Sequence, residues 1–314
     1  MSECDKGTCY ILICGIRRFF HTIQTITMEF WFTELHTPHV KFSVKVDKHL
    51  YSSENDLGRV DIFDSPEFGR FLAVDGYIIF TQRDEFIYDE MLSHVPMAVN
   101  PNAERILVFG SGDGGVVREL LKYQSIKTID LIEINEGVVQ ACRQYFPEMA
   151  ESLDDPRVTI YTENALRFIR HIENEYDLII VDSAGFYGPG ESLLTREFYG
   201  SCYKALKSDG IMVNQHQSPF YEEDRIETQK AHKRIVNSFP ISRVYQAHIP
   251  SYPSGYWLFG FASKKFRPVI DLDADAWNRL GIKTDYYTTN LHKGCFALPA
   301  YVERMLADVE KIKD

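Results

Sequence analysis

Between Met28 and Gln82 apolar and polar residues alternate in short runs, as in FSVKV, GRVDIF and YIIFT. The runs break at Ser53-Glu54-Asn55-Asp56, Ser65-Pro66-Glu67 and Asp75-Gly76, all turn-forming clusters, so the stretch predicts antiparallel hairpins. At Asp84 the period changes. Phe86, Met91 and Val95 share one face of a helix over Asp84–Val95, and Pro96 and Pro101 mark a linker. Strands and helices then alternate. Strands are expected at Arg105–Phe109, Thr128–Glu133, Val158–Thr162, Asp177–Asp182, Ile211–Gln215, Arg243–His248 and Tyr256–Ala262. Helices are expected at Val116–Tyr123, Glu136–Phe146, Ala165–Ile172, Thr195–Leu206 and Glu222–Phe239, with a last helix from Pro299. The expected organisation is an extension over 1–27, disordered or loosely packed, a β-hairpin domain over 28–82, a linking helix over 83–100 and an α/β domain over 101–314. The fold class is a doubly wound α/β sheet preceded by a small antiparallel β domain.

The first β-α-β unit carries the chemistry. Gly110, Gly112 and Gly115 satisfy G-x-G-x-x-G between a strand and a helix, with Gly114 in the same loop, and Glu133 closes the second strand about twenty residues on. A carboxylate there can accept hydrogen bonds from both ribose hydroxyls, so a nucleoside site is expected. Asp113 discriminates between nucleosides. A pyrophosphate resting on this loop would be repelled by roughly 4 kcal/mol at ~4 Å and an effective dielectric of ~20, which disfavours NAD. A sulfonium with an ammonium tail would be attracted. S-adenosylmethionine and its decarboxylated form both meet that description.

Ligands of such sheets lie beyond the carboxyl ends of the strands. That rule adds Asn164, whose amide could meet adenine or cap a helix, and Asp182, where an unpaired acid at the end of an apolar strand should face a cleft or a cation. Composition narrows the classes. The 314 residues are 45% hydrophobic and 25% charged with a net charge of −11, an ordinary globular chain poorly suited to nucleic acid or an anionic membrane. Tyr10–Cys14 and Phe19–Phe20 are interrupted by Arg17 and Arg18, too short a run to span a bilayer. The six cysteines show no C-x-x-C and no paired histidine spacing, so they read as reduced thiols of a cytoplasmic protein, with no metal site.

Several motifs together resemble the spermidine synthase family of polyamine aminopropyltransferases, from Phe30 to about Pro299. They are Trp31-Phe-Thr-Glu34, Asp75-Gly76, Asp84-Glu-Phe-x-Tyr-x-Glu-Met-x-x-His-Val-Pro96 and Gly110-Ser-Gly-Asp-Gly-Gly115. Leu153-Asp-Asp-Pro-Arg-Val158, Asp182-Ser183, Gly188-Pro189, Tyr252-Pro-Ser-Gly255, Tyr286-Tyr287 and Phe296-Ala-Leu-Pro299 extend the match. The resemblance implies a class I AdoMet-methyltransferase-like domain behind an N-terminal β domain, assembled as a homodimer or homotetramer. It implies no permanently bound cofactor. Decarboxylated S-adenosylmethionine is the implied co-substrate, with S-adenosylmethionine as the alternative, and a small amine is the implied acceptor. Asp113 and Asp182 are implied at the donor's aminopropyl end and Glu133 at its ribose. Tyr88 and Tyr252 would flank the reacting amine, Trp31 would cover the acceptor pocket, and Ser111, where the family usually has glycine, is small enough to keep the turn.

The chain departs from the pattern where the acceptor binds. The usual second acid after Asp182-Ser183, to which the family's proton abstraction is assigned, is Gly185, and a usual acid near the end of the following strand is Gln217. Ile79 stands where glutamine is common, and Asp89 where histidine or glutamine is common. Aminopropyl transfer with Asp182 or Asp89 relaying the proton is expected, with N-methylation or nucleoside binding without turnover as alternatives. His216, beside a strand end, is a further candidate base. His94 is expected to be a hydrogen-bonded structural residue.

Overall fold

The computed structural model describes residues 28–182, 193 and 195–309. Its N-terminal region is built from strands whose alternation buries one face. β1 (Phe30–Thr37) and β2 (Val40–Val46) pair antiparallel as a two-stranded sheet. β3 (Lys48–Asn55), β4 (Gly58–Ser65), β5 (Gly69–Val74) and β6 (Tyr77–Thr81) form a four-stranded meander. Phe32, Phe63 and Phe71 meet between the two sheets, with ring centroids 5.1–5.3 Å apart. Asp75 and Gly76 join β5 to β6 with φ of 50° and 83°, the two positive angles that a tight hairpin turn requires. The Asp75 carboxylate accepts from the Arg59 amide at 2.8 Å, tying that turn to β4.

Helix α1 (Glu85–Val99) runs through Pro96 instead of stopping before it. Proline has no N–H to give the preceding turn, but every residue from Ile87 to Val99 is buried, and that packing holds the helix through the gap. The α/β region follows in order: β7 (Arg105–Gly110), α2 (Gly115–Leu121), β8 (Thr128–Ile132), α3 (Glu136–Tyr145), α4 (Pro147–Ala150), β9 (Val158–Tyr161), α5 (Ala165–Ile169) and β10 (Tyr176–Asp182). Then come α6 (Arg196–Ala205), β11 (Leu206–Gln215), α7 (Glu222–Ser238), β12 (Ile241–His248) and β13 (Tyr256–Ser263). α8 (Ala274–Arg279), α9 (Thr289–Cys295) and α10 (Ala300–Ala307) close the chain.

The main sheet has seven strands in the order β12-β13-β11-β10-β7-β8-β9. Pairs from β11 to β9 are parallel, and β13 is antiparallel to both its neighbours, the doubly wound class the sequence predicts. Successive residues of the central strands enter opposite cores. Ile106, Val108, Leu178 and Ile180 face one side, while Leu107, Phe109, Ile179 and Val181 face the other. The chain leaves β7 towards β8 and β9, then returns to the far side of β7 as β10. That reversal opens a crevice at the carboxyl ends of β7 and β10, where Gly110 pairs with Asp182.

Candidate active site

A cavity of about 600 Å³ opens between this crevice and the N-terminal sheets. Acids and aromatic rings dominate its lining. Asp89, Asp113 and Asp182 lie at the end nearest the glycine loop, and Tyr88, Tyr252 and Trp257 form a wall. Glu34, His36 and Asp224 lie on the N-terminal side, and Gln215 and Gln217 contribute from the end of β11.

Asp182 is held by hydroxyls on both sides. Tyr88 donates from α1 to Oδ1 at 2.5 Å, and Ser111 donates to Oδ2. Burial pushes the Asp182 carboxyl up, and the two donated hydrogen bonds oppose that shift by favouring the anion. Tyr88 and Tyr252 stand edge to face with centroids 6.1 Å apart. Tyr252 donates to the Ile79 carbonyl at 2.6 Å, which fixes its ring over the cavity. Its loop is anchored from beneath. The Ser251 amide and hydroxyl donate to Asp84 at 2.8 and 3.0 Å, so the residue preceding α1 positions a tyrosine of the loop after β12.

Asp113 accepts from the Gly115 amide at 2.7 Å. Burial, then the nearby Asp182 charge, pushes its carboxyl up to about 7. Burial also raises Glu133, against backbone amides of Asn135, Gly112 and Ile134 that favour its anion. A Cβ on Gly112 would lie 2.8 Å from the Glu133 side chain, so only glycine admits the acid at this approach.

Asp89 sits differently from the sequence expectation. Its Oδ2 packs onto Gly115, where a Cβ would come within 2.0 Å, and lies 3.7 Å from Arg118. Glu85 takes the main share of Arg118 through two hydrogen bonds of 3.0 and 2.8 Å. That leaves Asp89 Oδ2 buried and without a hydrogen-bond partner among the described residues. Burial, then the Glu85 charge, drives the Asp89 carboxyl well above the usual range. The side chain therefore belongs to the glycine-loop end of the cavity, beside Asp113, because α1 presents it to the first turn of α2.

Other expected residues fall in distinct places. Gly110, Gly112, Gly114, Glu133 and Asn164 stand at the strand ends next to the cavity and do not line it. Asn164 caps α5, accepting from the Arg167 amide at 3.1 Å. Trp31 is 54% exposed on β1 and does not line the cavity, because the strand directs Glu34, Leu35 and His36 there instead. His216 is buried between Asn214 and His232, 3.3 Å from each, and does not line the cavity. Burial depresses its basicity well below the ordinary imidazole range. His94 bonds Tyr123 and Glu119, each at 2.9 Å, in the core between α1 and α2. Gly185 lies outside the described residues.

Two features carried no readable signal in the sequence. One is the Ser111 hydroxyl on Asp182, a contact between residues 71 apart in the chain. The other is His36, which joins Glu34 at 3.3 Å and Asp224 of α7 at 3.1 Å across 188 residues of chain.

Comparisons with known proteins follow the same outline. The family model described as spermine/spermidine synthase domain matches residues 85–274, and that described as spermidine synthase tetramerisation domain matches residues 30–82. A polyamine aminopropyltransferase of Clostridium perfringens is 59% identical over 284 residues, covering 90% of this chain and all of that protein. One from Alkaliphilus oremlandii is 57% identical over the same length. Among solved structures, a spermidine synthase in complex with the transition-state analogue AdoDATO superposes with a TM-score of 0.86 at 39% identity, covering 88% of this chain and 95% of that one. The spermidine synthase of Thermotoga maritima gives a TM-score of 0.83 at 38% identity, covering 88% and 94%.

Proposed function

The chain belongs to the spermine/spermidine synthase family and is an aminopropyltransferase, and on that premise we propose which of its residues carry out the transfer. The donor is decarboxylated S-adenosylmethionine, the acceptor is a putrescine-like diamine or polyamine, and methylthioadenosine is released. The acidic, tyrosine-walled cavity at the β7/β10 crevice is the observation that carries the assignment.

Glu133 holds the ribose and the Gly110–Gly115 loop lies along the nucleoside. Asn164, whose carbonyl oxygen caps α5, keeps its amide hydrogens for adenine. Asp113 and Asp89 hold the donor's ammonium end, two buried carboxylates that a cation would drive into their charged forms. A donor bearing a carboxylate at this place would meet the same acids, which favours the decarboxylated form. Asp89 is thereby assigned to the donor rather than to proton transfer, since its free oxygen faces the glycine loop.

The acceptor amine lies between Tyr88, Tyr252 and Asp182, with Gln217 towards its distal part. An alkylammonium titrates near 10, as lysine does, and has no lone pair until it loses a proton. Asp182 takes that proton. The neutral nitrogen then attacks the methylene carbon bonded to the sulfonium, and the carbon–sulfur bond breaks with its electron pair passing to sulfur. The products are a neutral thioether and a secondary ammonium, and the proton on Asp182 passes to water. With glycine at position 185, Asp182 is the carboxylate left to serve as base.

The assembly is a homodimer or homotetramer formed through the region matched as a tetramerisation domain. A cytoplasmic setting agrees with the free thiols of Cys142, Cys202 and Cys295. No helix among the described residues is long and apolar enough to cross a membrane.

The test is mass spectrometry of reactions offering each donor with putrescine, cadaverine, agmatine, spermidine or diaminopropane. Methylthioadenosine with one aminopropylated amine is expected. Adenosylhomocysteine with a methylated amine, or no product from either donor, would overturn the assignment.

A further inference from the structure

Ser111 occupies left-handed backbone at φ 59°, a conformation that glycine adopts freely and a side chain resists. Its carbonyl accepts from the Gly114 amide at 3.0 Å, so the loop is closed around that conformation. The side chain is buried and its hydroxyl donates to Asp182 Oδ2, while Tyr88 donates to Oδ1. Glycine would serve the turn alone without steric resistance. What serine adds is one hydrogen bond, directed to the carboxylate that removes the amine's proton.

We propose that Ser111 is a positioning residue for aminopropyl transfer, its hydroxyl holding Asp182 oriented and ionised at the reacting nitrogen. This role presupposes Asp182 as the proton acceptor, as assigned above. The Asp182 charge in turn raises Tyr88 from α1, Tyr252 from the loop after β12, Asp113 from the glycine loop and Glu133 after β8. The tyrosines are held neutral by burial. Hydrogen bonds from Ser111 and Tyr88 are what favour the Asp182 anion, and the Ser111 contribution is the larger. Removing the Ser111 hydroxyl raises the proton affinity of Asp182, so the acid limb of the rate profile moves to higher pH.

The experiment compares wild type, Ser111→Gly and Ser111→Ala by the pH profile of kcat/KM for the acceptor at saturating donor, with thermal melting alongside. Both variants are expected to move the acid limb upward by about one pH unit, the scale of one hydrogen bond to a charged group. Ser111→Gly should melt no lower than wild type, because the steric cost of the left-handed conformation is gone, and Ser111→Ala should melt below Ser111→Gly. An acid limb at the wild-type position in both variants would overturn the proposal. So would a rise in donor KM with no movement of the limb, the signature of a residue that only shapes the loop or touches the donor. Absence of aminopropylated product from the wild type would instead remove the assignment of Asp182, and the role of Ser111 with it.

Discussion

At the scale of single residues, burial makes Asp113 responsive to the ammonium proposed to lie beside it. Its carboxyl is held at about 7 by burial and the charge of Asp182. An ammonium is bound by the anion, so donor affinity should weaken as pH falls through that value, by about tenfold for each unit below it. Calorimetry at pH 6 and 8 is expected to show this for the decarboxylated donor. Methylthioadenosine, which lacks the ammonium, should show little change, and in Asp113→Asn donor binding should be weaker by about tenfold or more and largely independent of pH. Stability should move the opposite way. A carboxyl raised from 3.8 in the folded state stabilises below the unfolded value, and that contribution is lost as pH rises through about 7. The ligand-free Asp113→Asn protein should therefore melt above wild type at pH 8. The place of Asp113 on the cavity was legible in the sequence because the glycine loop after the first strand of the sheet ends in the crevice. Asp89 was legible only as an unusual acid next to Tyr88. Its direction depends on how α1 lies across the first turn of α2, which no local pattern encodes.

Among the elements, β1 and α7 are joined by one imidazole. Burial would lower His36, but its hydrogen bonds to Asp224 and Glu34 and their charges raise it from 6.5 to about 9. The imidazolium thus pins the N-terminal strand pair to the helix after β11, at the edge of the cavity. The sign is that of a raised base: its contribution is complete below 6.5 and disappears as pH rises through about 9. His36→Ala should cost about 1–2 kcal/mol and speed amide exchange in β1 and β2 at pH 7. The wild type should show the same faster exchange only above pH 9. Equal exchange in both proteins at pH 7 would mean that apolar contacts alone hold the strand pair in place. Most element types could be read from period, since the alternation of the N-terminal strands and the helical spacing of α1 are local. The linking helix over 83–100 contains α1, while the apolar face read over Asp84–Val95 stops short at Pro96, because proline is a local signal and burial of thirteen consecutive residues is not.

For the whole molecule, the exposed aromatic residues of β1 point to assembly. Phe30 and Trp31 are 59% and 54% exposed within the region matched as a tetramerisation domain. Trp31 and Leu35, 55% exposed, share the outer face of the strand, with Phe30 at its start, and large apolar side chains on one face are costly in water unless a second copy covers them. Light scattering of the wild type is expected to give a dimer or tetramer mass. Phe30→Asp combined with Trp31→Asp should shift it to a smaller species while the monomer fold, followed by circular dichroism, persists. An unchanged mass would place the interface elsewhere on the N-terminal sheets.

The sequence by itself determined the doubly wound class, and it motivated the proposal of a nucleoside end to the site and of a cationic ligand there. Each of these follows from short-range physics: the hydrophobic period, glycine where backbone and ligand meet, and a carboxylate at a fixed distance along one β-α-β unit. Tertiary structure alone decided which side chains meet Asp182, where Asp89 points, that Trp31 lies outside the cavity of its own chain, and that His36 closes the N-terminal side. Those contacts join segments from 26 residues apart, as for Asp89 and Gly115, to 188 residues apart, as for His36 and Asp224. They exist only once the sheet order has brought β10 beside β7 and the N-terminal strands against α7. The acceptor end was harder to read than the donor end for that reason: one β-α-β unit builds the donor site, whereas four separated parts of the chain build the other.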